Sequence, residues 1–283
     1  MYKKQKFFLL LGLLPFTLLL ILFEILPILS IAHDSFIDPD NGNYTLDLYR
    51  EIFHNKFYLQ SLRNSLYISL LSSLAGILIA ILGAYSLSKL SVKSRERVLM
   101  LSNMTSNFAG VPLAFAFMIL LGNNGLFTLL LQRCGLDVFH HFNLYSAAGL
   151  TVVYIYFQIP LGILLLYPSY DGIKEEWKEA ASILGASKFS FWRYVGIPVL
   201  LPGILGTFSI LFANAMGAYA TAYALTNGNY NLIPIRIGAL ISGDMFLNPN
   251  MASALAVILG LMLISLTLIN EILFKQKKGL NHE

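Results

Sequence analysis

Residues 175–202 read EEWKEAASILGASKFSFWRYVGIPVLLP, from Glu175 to Pro202. The stretch is charged and helix-prone at first, then turns to glycine, aromatics and proline. Ile173, Trp177, Ala180, Ala181 and Leu184 recur at helical spacing, which gives one apolar face. Glu175 and Lys178 are three apart and can pair on the helix surface. Asp171 is placed to cap the helix start, where a negative charge meets the positive helix end. Gly185 falls where a left-handed residue closes a helix. A second short helix is expected over residues 187–194, running into Pro198. The pattern predicts a helix-turn-helix that lies against a membrane and does not cross it.

The membrane follows from what surrounds this segment. The chain has 283 residues, is 57% hydrophobic and only 12% charged, about half the charged fraction of a soluble protein. That excludes an ordinary soluble domain. Six apolar runs reach the roughly 20 residues that a spanning helix needs. They cover residues 7–29, 64–88, 98–132 (most apolar over 99–121), 144–170, 195–235 and 245–270. Within the last two, the spans are expected near 201–225 and 251–274. Backbone polar groups in lipid must bond within the segment, so each run is predicted to be helical. The first run has Lys3, Lys4 and Lys6 in front, as a signal peptide would, but its apolar core is too long for one; an uncleaved first helix is expected. The fold class is all-α: a polytopic membrane protein with six transmembrane helices.

Charge sets the expected orientation. Of the 19 Lys and Arg residues, only Arg50, Lys56, Arg63, Arg133 and Arg236 fall on the side opposite the N-terminus. The positive-inside rule puts the N-terminal side, both termini and the segment 171–198 in the cytoplasm. The loop 33–63 and the turns Gly122-Asn123-Asn124-Gly125 and Asn227-Gly228-Asn229 are then external. The same distribution accounts for the net charge of +4 without nucleic acid. Cys134 is the single cysteine, so no intramolecular disulfide can form.

The quoted stretch also resembles a known family. Permease subunits of binding-protein-dependent ABC importers carry a cytoplasmic loop of the form EAA, three residues, G, nine residues, I-x-L-P. Here Glu179-Ala180-Ala181 is followed after three residues by Gly185, and after nine more by Val195-Gly196-Ile197-Pro198. Valine stands for the family's isoleucine and isoleucine for its leucine. The resemblance spans residues 62–274, which makes 1–61 a first helix with its external loop, 62–274 the permease core, and 275–283 a cytoplasmic tail. It implies a MetI-like architecture in a bacterial inner membrane. It further implies a second permease subunit, two cytoplasmic ATPases and an external solute-binding protein. Glu179, Ala180, Ala181, Gly185, Ile197 and Pro198 would then be the ATPase-coupling residues. The chain holds no G-x-x-x-x-G-K-[ST] phosphate loop, so ATP and Mg are expected on the ATPase, with no catalytic residue, cofactor or metal here. Within the family, FANAMGAYATAYALTNGN at 212–229 and Asn231-Leu232-Ile233-Pro234 look most like the polyamine, phosphonate and ferric iron group.

Asn214, Tyr219 and Tyr223 lie among small residues on the fifth run; small residues favour close packing in lipid, whereas polar ones mark a pathway lining. Glu24 is an acid within the first run, which signals either function or a side chain reaching to the surface. His140 and His141 have no Cys, Asp or Glu at metal-ligand spacing. Pro112, Pro160 and Pro168 are expected to kink helices or mark their ends. A secondary transporter and an intramembrane enzyme are the competing classes. The first calls for midplane ionisable groups and inverted repeats, the second for clustered acids, His or Ser, and neither pattern stands out.

Overall fold

A 33-residue helix, Lys56–Ser88, has a buried face built from small residues: Ser61, Ser65, Ser69, Ser72, Ser73, Gly76, Ala80 and Ala84. Such a face lets neighbouring backbones approach closely, which is how helices associate where lipid removes any hydrophobic drive. At 1.5 Å per residue this helix is roughly 50 Å long, more than the hydrocarbon core requires. The computed structural model describes residues 12–135, 142–243 and 247–279, with side chains to residue 272; His140 and His141 fall outside them.

In chain order the helices are α1 (Gly12–Asp34), α2 (Asp47–His54), α3 (Lys56–Ser88), α4 (Val92–Ser106), α5 (Val111–Leu121), α6 (Leu126–Arg133), α7 (Ala147–Asp171), α8 (Glu175–Ile183), α9 (Lys188–Met216), α10 (Tyr219–Thr226), α11 (Ile233–Ser242) and α12 (Pro249–Gly279). Among the described residues there is no strand, only an isolated bridge between Ile37 and Tyr44. Among the described residues, six segments are long and apolar enough to cross a membrane: α1, α3, Val111–Arg133, α7, α9 and Pro249–Ile272 of α12. The expected all-α, six-span class is therefore found.

Two compact units are distinguished, Met1–Leu59 with Arg236–Leu261 and Gln60–Ile235 with Met262–Glu283. In the first, Leu48 and Ile52 of α2 are buried. Tyr49 Oη donates to Ser35 Oγ (2.7 Å), and Asn250 Nδ2 donates to the carbonyls of Asp34 (3.1 Å) and Ile37 (3.0 Å). Arg236 lies 5.0 Å over the Phe57 ring. α1 has no buried residue across its most apolar window, and Glu24 sits exposed on a π-helical turn, Ile21–Ile25.

In the second unit α7 is the most enclosed span, with 56% of its window buried. Gln158 Nε2, fully buried, donates to Ser72 Oγ of α3 (2.8 Å). One apolar cluster joins Ile68, Leu113, Leu150, Tyr154, Leu225 and Ile235; another joins Ile77, Leu166, Phe191, Leu200 and Leu211. Asn270 of α12 donates to the Leu205 carbonyl (3.3 Å) and to Ser209 Oγ. Pro112 opens α5, whereas Pro160 and Pro168 lie inside an unbroken α7.

Three boundaries differ from expectation. The third run is not one helix: α4 stops at Ser106, residues 107–110 unwind, and the crossing segment is Val111–Arg133, shifted from 99–121. Gly110, at φ +77°, makes that break. The fifth span begins at Lys188, not near 201, and ends at Met216. The short helix expected over 187–194 is thus the start of α9 itself. Pro198 does not stop it, because a π-turn, Trp192–Gly196, precedes the proline and the Ile197 N–H bonds to the Trp192 carbonyl. Lastly, Asp171 caps nothing. It ends α7, with Arg95 Nη1 at 3.8 Å and Tyr167 Oη donating to it at 3.0 Å, and α8 starts after Lys174.

Candidate functional site

The loop 171–198 is built as follows. α8 opens with Glu175 and Glu176 in its first turn, where acids suit the helix end. Glu175 accepts a hydrogen bond from Lys178 Nζ. That bond, with the charges of Lys178 and Lys89, holds the Glu175 carboxyl below its ordinary pKa. The pair is exposed, so it stabilises the helix only slightly. α8 closes in a Schellman turn: the Ala186 N–H donates to the Ala181 carbonyl (2.9 Å) and the Gly185 N–H to that of Ser182 (3.0 Å). Gly185 has φ +75°, as its place in the sequence predicted. Ser187 then caps α9, its Oγ accepting from the Ser190 N–H (3.1 Å).

Exposure sorts the predicted coupling residues. Glu179, Ala180 and Gly185 are exposed, while Ala181 is half-buried and packs on the cluster around Ile173 and Phe191. Ile183 and Leu184, beside Gly185, are each 86% exposed. These are two large apolar side chains held out on a closed turn. The sequence pattern puts Leu184 on the apolar face and does not single out Ile183. The turn explains the miss, because the helix ends at Ile183 and its periodicity no longer applies. Ile197 and Pro198 lie on α9, both exposed, beyond the π-turn. Gly196 is buried there because Trp192 covers it; a Cβ on Gly196 would sit 2.3 Å from the indole.

A second arrangement joins two broken helices. α9 ends at Met216, and Ala218 (φ −74°, ψ 70°) forms an inverse γ-turn closed by the Tyr219 N–H on the Gly217 carbonyl (2.7 Å). The freed Ala218 carbonyl accepts from Tyr154 Oη of α7 (2.8 Å), a side chain only 1% exposed. The other break is tied to the same place, since the Gly110 N–H donates to Thr221 Oγ1 of α10 (2.9 Å). Irregular backbone within a membrane survives only where protein or a cavity satisfies it, and these bonds do that. Asn214, Tyr219 and Tyr223 stand around the break, all exposed, with the two rings 5.3 Å apart. α10 ends at Thr226 in the expected turn, with Asn227 (φ 51°) and Gly228 (φ 73°) left-handed. A cavity of about 650 Å³ there is lined by Phe115, Met118, Tyr145, Asn227 and Tyr230 among others. The break at 217–218 and the roles of Tyr154 and Thr221 were not read from sequence; Gly217 within an apolar run was the available signal. Among the described residues, no His, Cys, Asp and Glu cluster could hold a metal.

The profile of the family described as "Binding-protein-dependent transport system inner membrane component" matches residues 67–278. The chain is 26% identical over 269 residues to the spermidine/putrescine transport system permease protein PotB of Haemophilus influenzae, covering 93% of this chain and 92% of that protein. It is also 26% identical over 220 residues to the thiamine transport system permease protein ThiP of Escherichia coli, covering 76% of this chain and 40% of that one. Among solved structures, a bacterial ABC transporter that imports the acidic polysaccharide alginate superposes with a TM-score of 0.75 at 18% identity, covering 96% of each chain. The MetNI methionine transporter superposes with a TM-score of 0.57 at 14% identity, over 77% of this chain and 94% of that one. At such identities the superpositions speak for the fold.

Proposed function

We propose, for a chain that belongs to the family of binding-protein-dependent transport system inner membrane components, that it forms one half of a membrane core moved by separate ATPases. It is a multi-pass inner-membrane permease subunit of an ABC importer, and not itself an enzyme. The family match displaces the secondary-transporter alternative. In our reading two cytoplasmic ATPases dock below, a second, homologous permease completes the core, and an external binding protein delivers the solute. ATP and Mg bind the ATPase.

The observation that carries this reading is the Gly185 turn with Ile183 and Leu184 held in water beside exposed Glu179. Those side chains fit an apolar groove on the ATPase, with Glu179 as a charge at its rim. Co-purification tests it: the cognate ATPase should be retained by the wild-type chain and lost several-fold faster from Glu179→Lys. Equal retention would remove the loop from the interface.

The cargo we propose is a small organic cation of the polyamine type. PotB relatives are named for spermidine and putrescine, and ThiP for thiamine, all cations in water. The break between α9 and α10 offers Tyr219 and Tyr223 ring faces and the Asn214 amide, which hold a cation weakly. No Lys or Arg lies between Arg193 and Arg236. Weak holding suits a pathway whose selectivity resides in the binding protein.

One labelling experiment reads both orientation and pathway. With Cys134 replaced by Ser, cysteines at Asn41, Asn124 and Asn229 should react from outside intact cells, and one at Ser187 should not. A cysteine at Tyr223 should react in proportion to transport turnover. External reaction at Ser187 would invert the topology, and turnover-independent reaction at Tyr223 would take it off the pathway.

A further inference from the structure

Two cavities, the first of them against α8, share a wall. One, of about 380 Å³, is lined by Lys89 at the end of α3, Glu175 and Lys178 of α8, and Ser187 and Lys188 at the start of α9. Three lysines and one glutamate line it, so the cavity carries net positive charge even with the Glu175–Lys178 pair formed. The other is an apolar groove of about 390 Å³ along Ile81, Leu82, Ile197, Leu200 and Ile204. Tyr85 and Trp192 line both, with their rings 5.6 Å apart edge to face. Leu82 is 68% exposed and Ile197 53%, so the groove opens outward from the bundle.

A cationic cavity continuing into an open apolar groove, with a Trp and a Tyr at the seam, has the chemistry of a phospholipid: charge at one end, hydrocarbon at the other, amphipathic rings between. We propose that an anionic phospholipid occupies it, with its phosphate among Lys89, Lys178 and Lys188 and an acyl chain along Leu82 and Ile197. The assignment rests on the proposed orientation, which puts the lysines at the leaflet where anionic lipids collect. A free phosphate explains only half of the feature, since exposed lysines bind it poorly in water and the groove would stand unused. Lys178 and Lys188 lie on either side of the Gly185 turn, so a bound headgroup braces both arms of the coupling loop. Anionic lipid then stiffens the element through which ATPase motion reaches the spans.

The test uses the purified full chain in detergent, with lipid retention read by native mass spectrometry. Phosphatidylglycerol should be retained over phosphatidylethanolamine. Lys89→Gln and Lys188→Gln should each cut that retention roughly fivefold, while the variants stay monodisperse and still hold the ATPase. Leu82→Asn should weaken retention with the charge untouched. Equal retention of the two lipids, or retention indifferent to these substitutions, overturns the site. Displacement of the lipid by excess inorganic phosphate overturns the lipid assignment in favour of a soluble anion. The orientation is judged separately by labelling at Ser187: selective lipid retention with external labelling there leaves the site standing and removes only the orientation.

Discussion

Gly185→Val should bring ATP-driven uptake to background while the protein still inserts at normal abundance. The glycine sits at φ +75° with nothing within 4 Å of where a Cβ would go, so the chain itself has room for a side chain. The cost is conformational. A left-handed residue with a Cβ costs roughly 1–2 kcal/mol, and β-branching adds to it. Relief requires Gly185 to leave that region, which breaks the bonds from Ala186 to Ala181 and from Gly185 to Ser182. Ile183 and Leu184 then lose their fixed presentation. A penalty of that size shifts the loop population by roughly five- to thirtyfold, and under the proposed docking the isopropyl group also stands where the ATPase would approach. Gly185→Asn separates the two effects, because asparagine tolerates the left-handed region: it should keep the turn and recover part of the uptake. Uptake rates in cells, normalised to membrane-fraction protein, measure both. Normal transport by the valine variant would refute the docking role of this turn.

That turn was legible because its determinants are local. A helix-closing glycine and a fixed spacing are written in consecutive residues, and the six crossings follow from hydropathy in the same way. The unwound segments were not legible, because their determinants are distant. Residues 98–132 are uniformly uncharged, yet the helix parts at Gly110, whose N–H finds Thr221 Oγ1, a residue 111 positions away. The γ-turn at Ala218 persists because Tyr154, 64 positions earlier, bonds its carbonyl. Periodicity has no term for such partners. The error at Asp171 has the same origin: an acid before a helix reads as a cap, but Arg95 and Tyr167 hold it at the end of α7. For Asn214, Tyr219 and Tyr223, the sequence left packing and lining open. Their exposure beside a break stabilised from two other helices is what favours lining in our reading.

The packing that supports those breaks can be tested at one crossing. Gly162→Ala should destabilise the purified protein by about 1–3 kcal/mol, the usual cost of overpacking, although alanine is the better helix former. A Cβ on Gly162 would lie 2.8 Å from the Ala80 Cβ and 3.4 Å from Leu211 Cδ1. Carbon atoms attract best at about 3.5–4.0 Å, and the Ala80 methyl is fixed to its backbone, so only α3 and α7 moving apart relieves the clash. That movement would strain the neighbouring bond from Gln158 to Ser72 and the contact in which a Cβ on Gly76 would lie 3.0 Å from the Gln158 Cβ. Gly162→Leu should lower abundance and uptake together, since its branched side chain has no room at all. The decisive comparison is compensatory. Ala80→Gly alone costs roughly 0.5–1 kcal/mol as a helix glycine, but combined with Gly162→Ala it moves the methyl from one helix to the other and restores the fit. The double variant should therefore unfold at a higher temperature in detergent than Gly162→Ala alone, a non-additivity that only direct contact produces. If the two substitutions simply add, α3 and α7 are not in contact at this point and the core described around Gln158 is wrong.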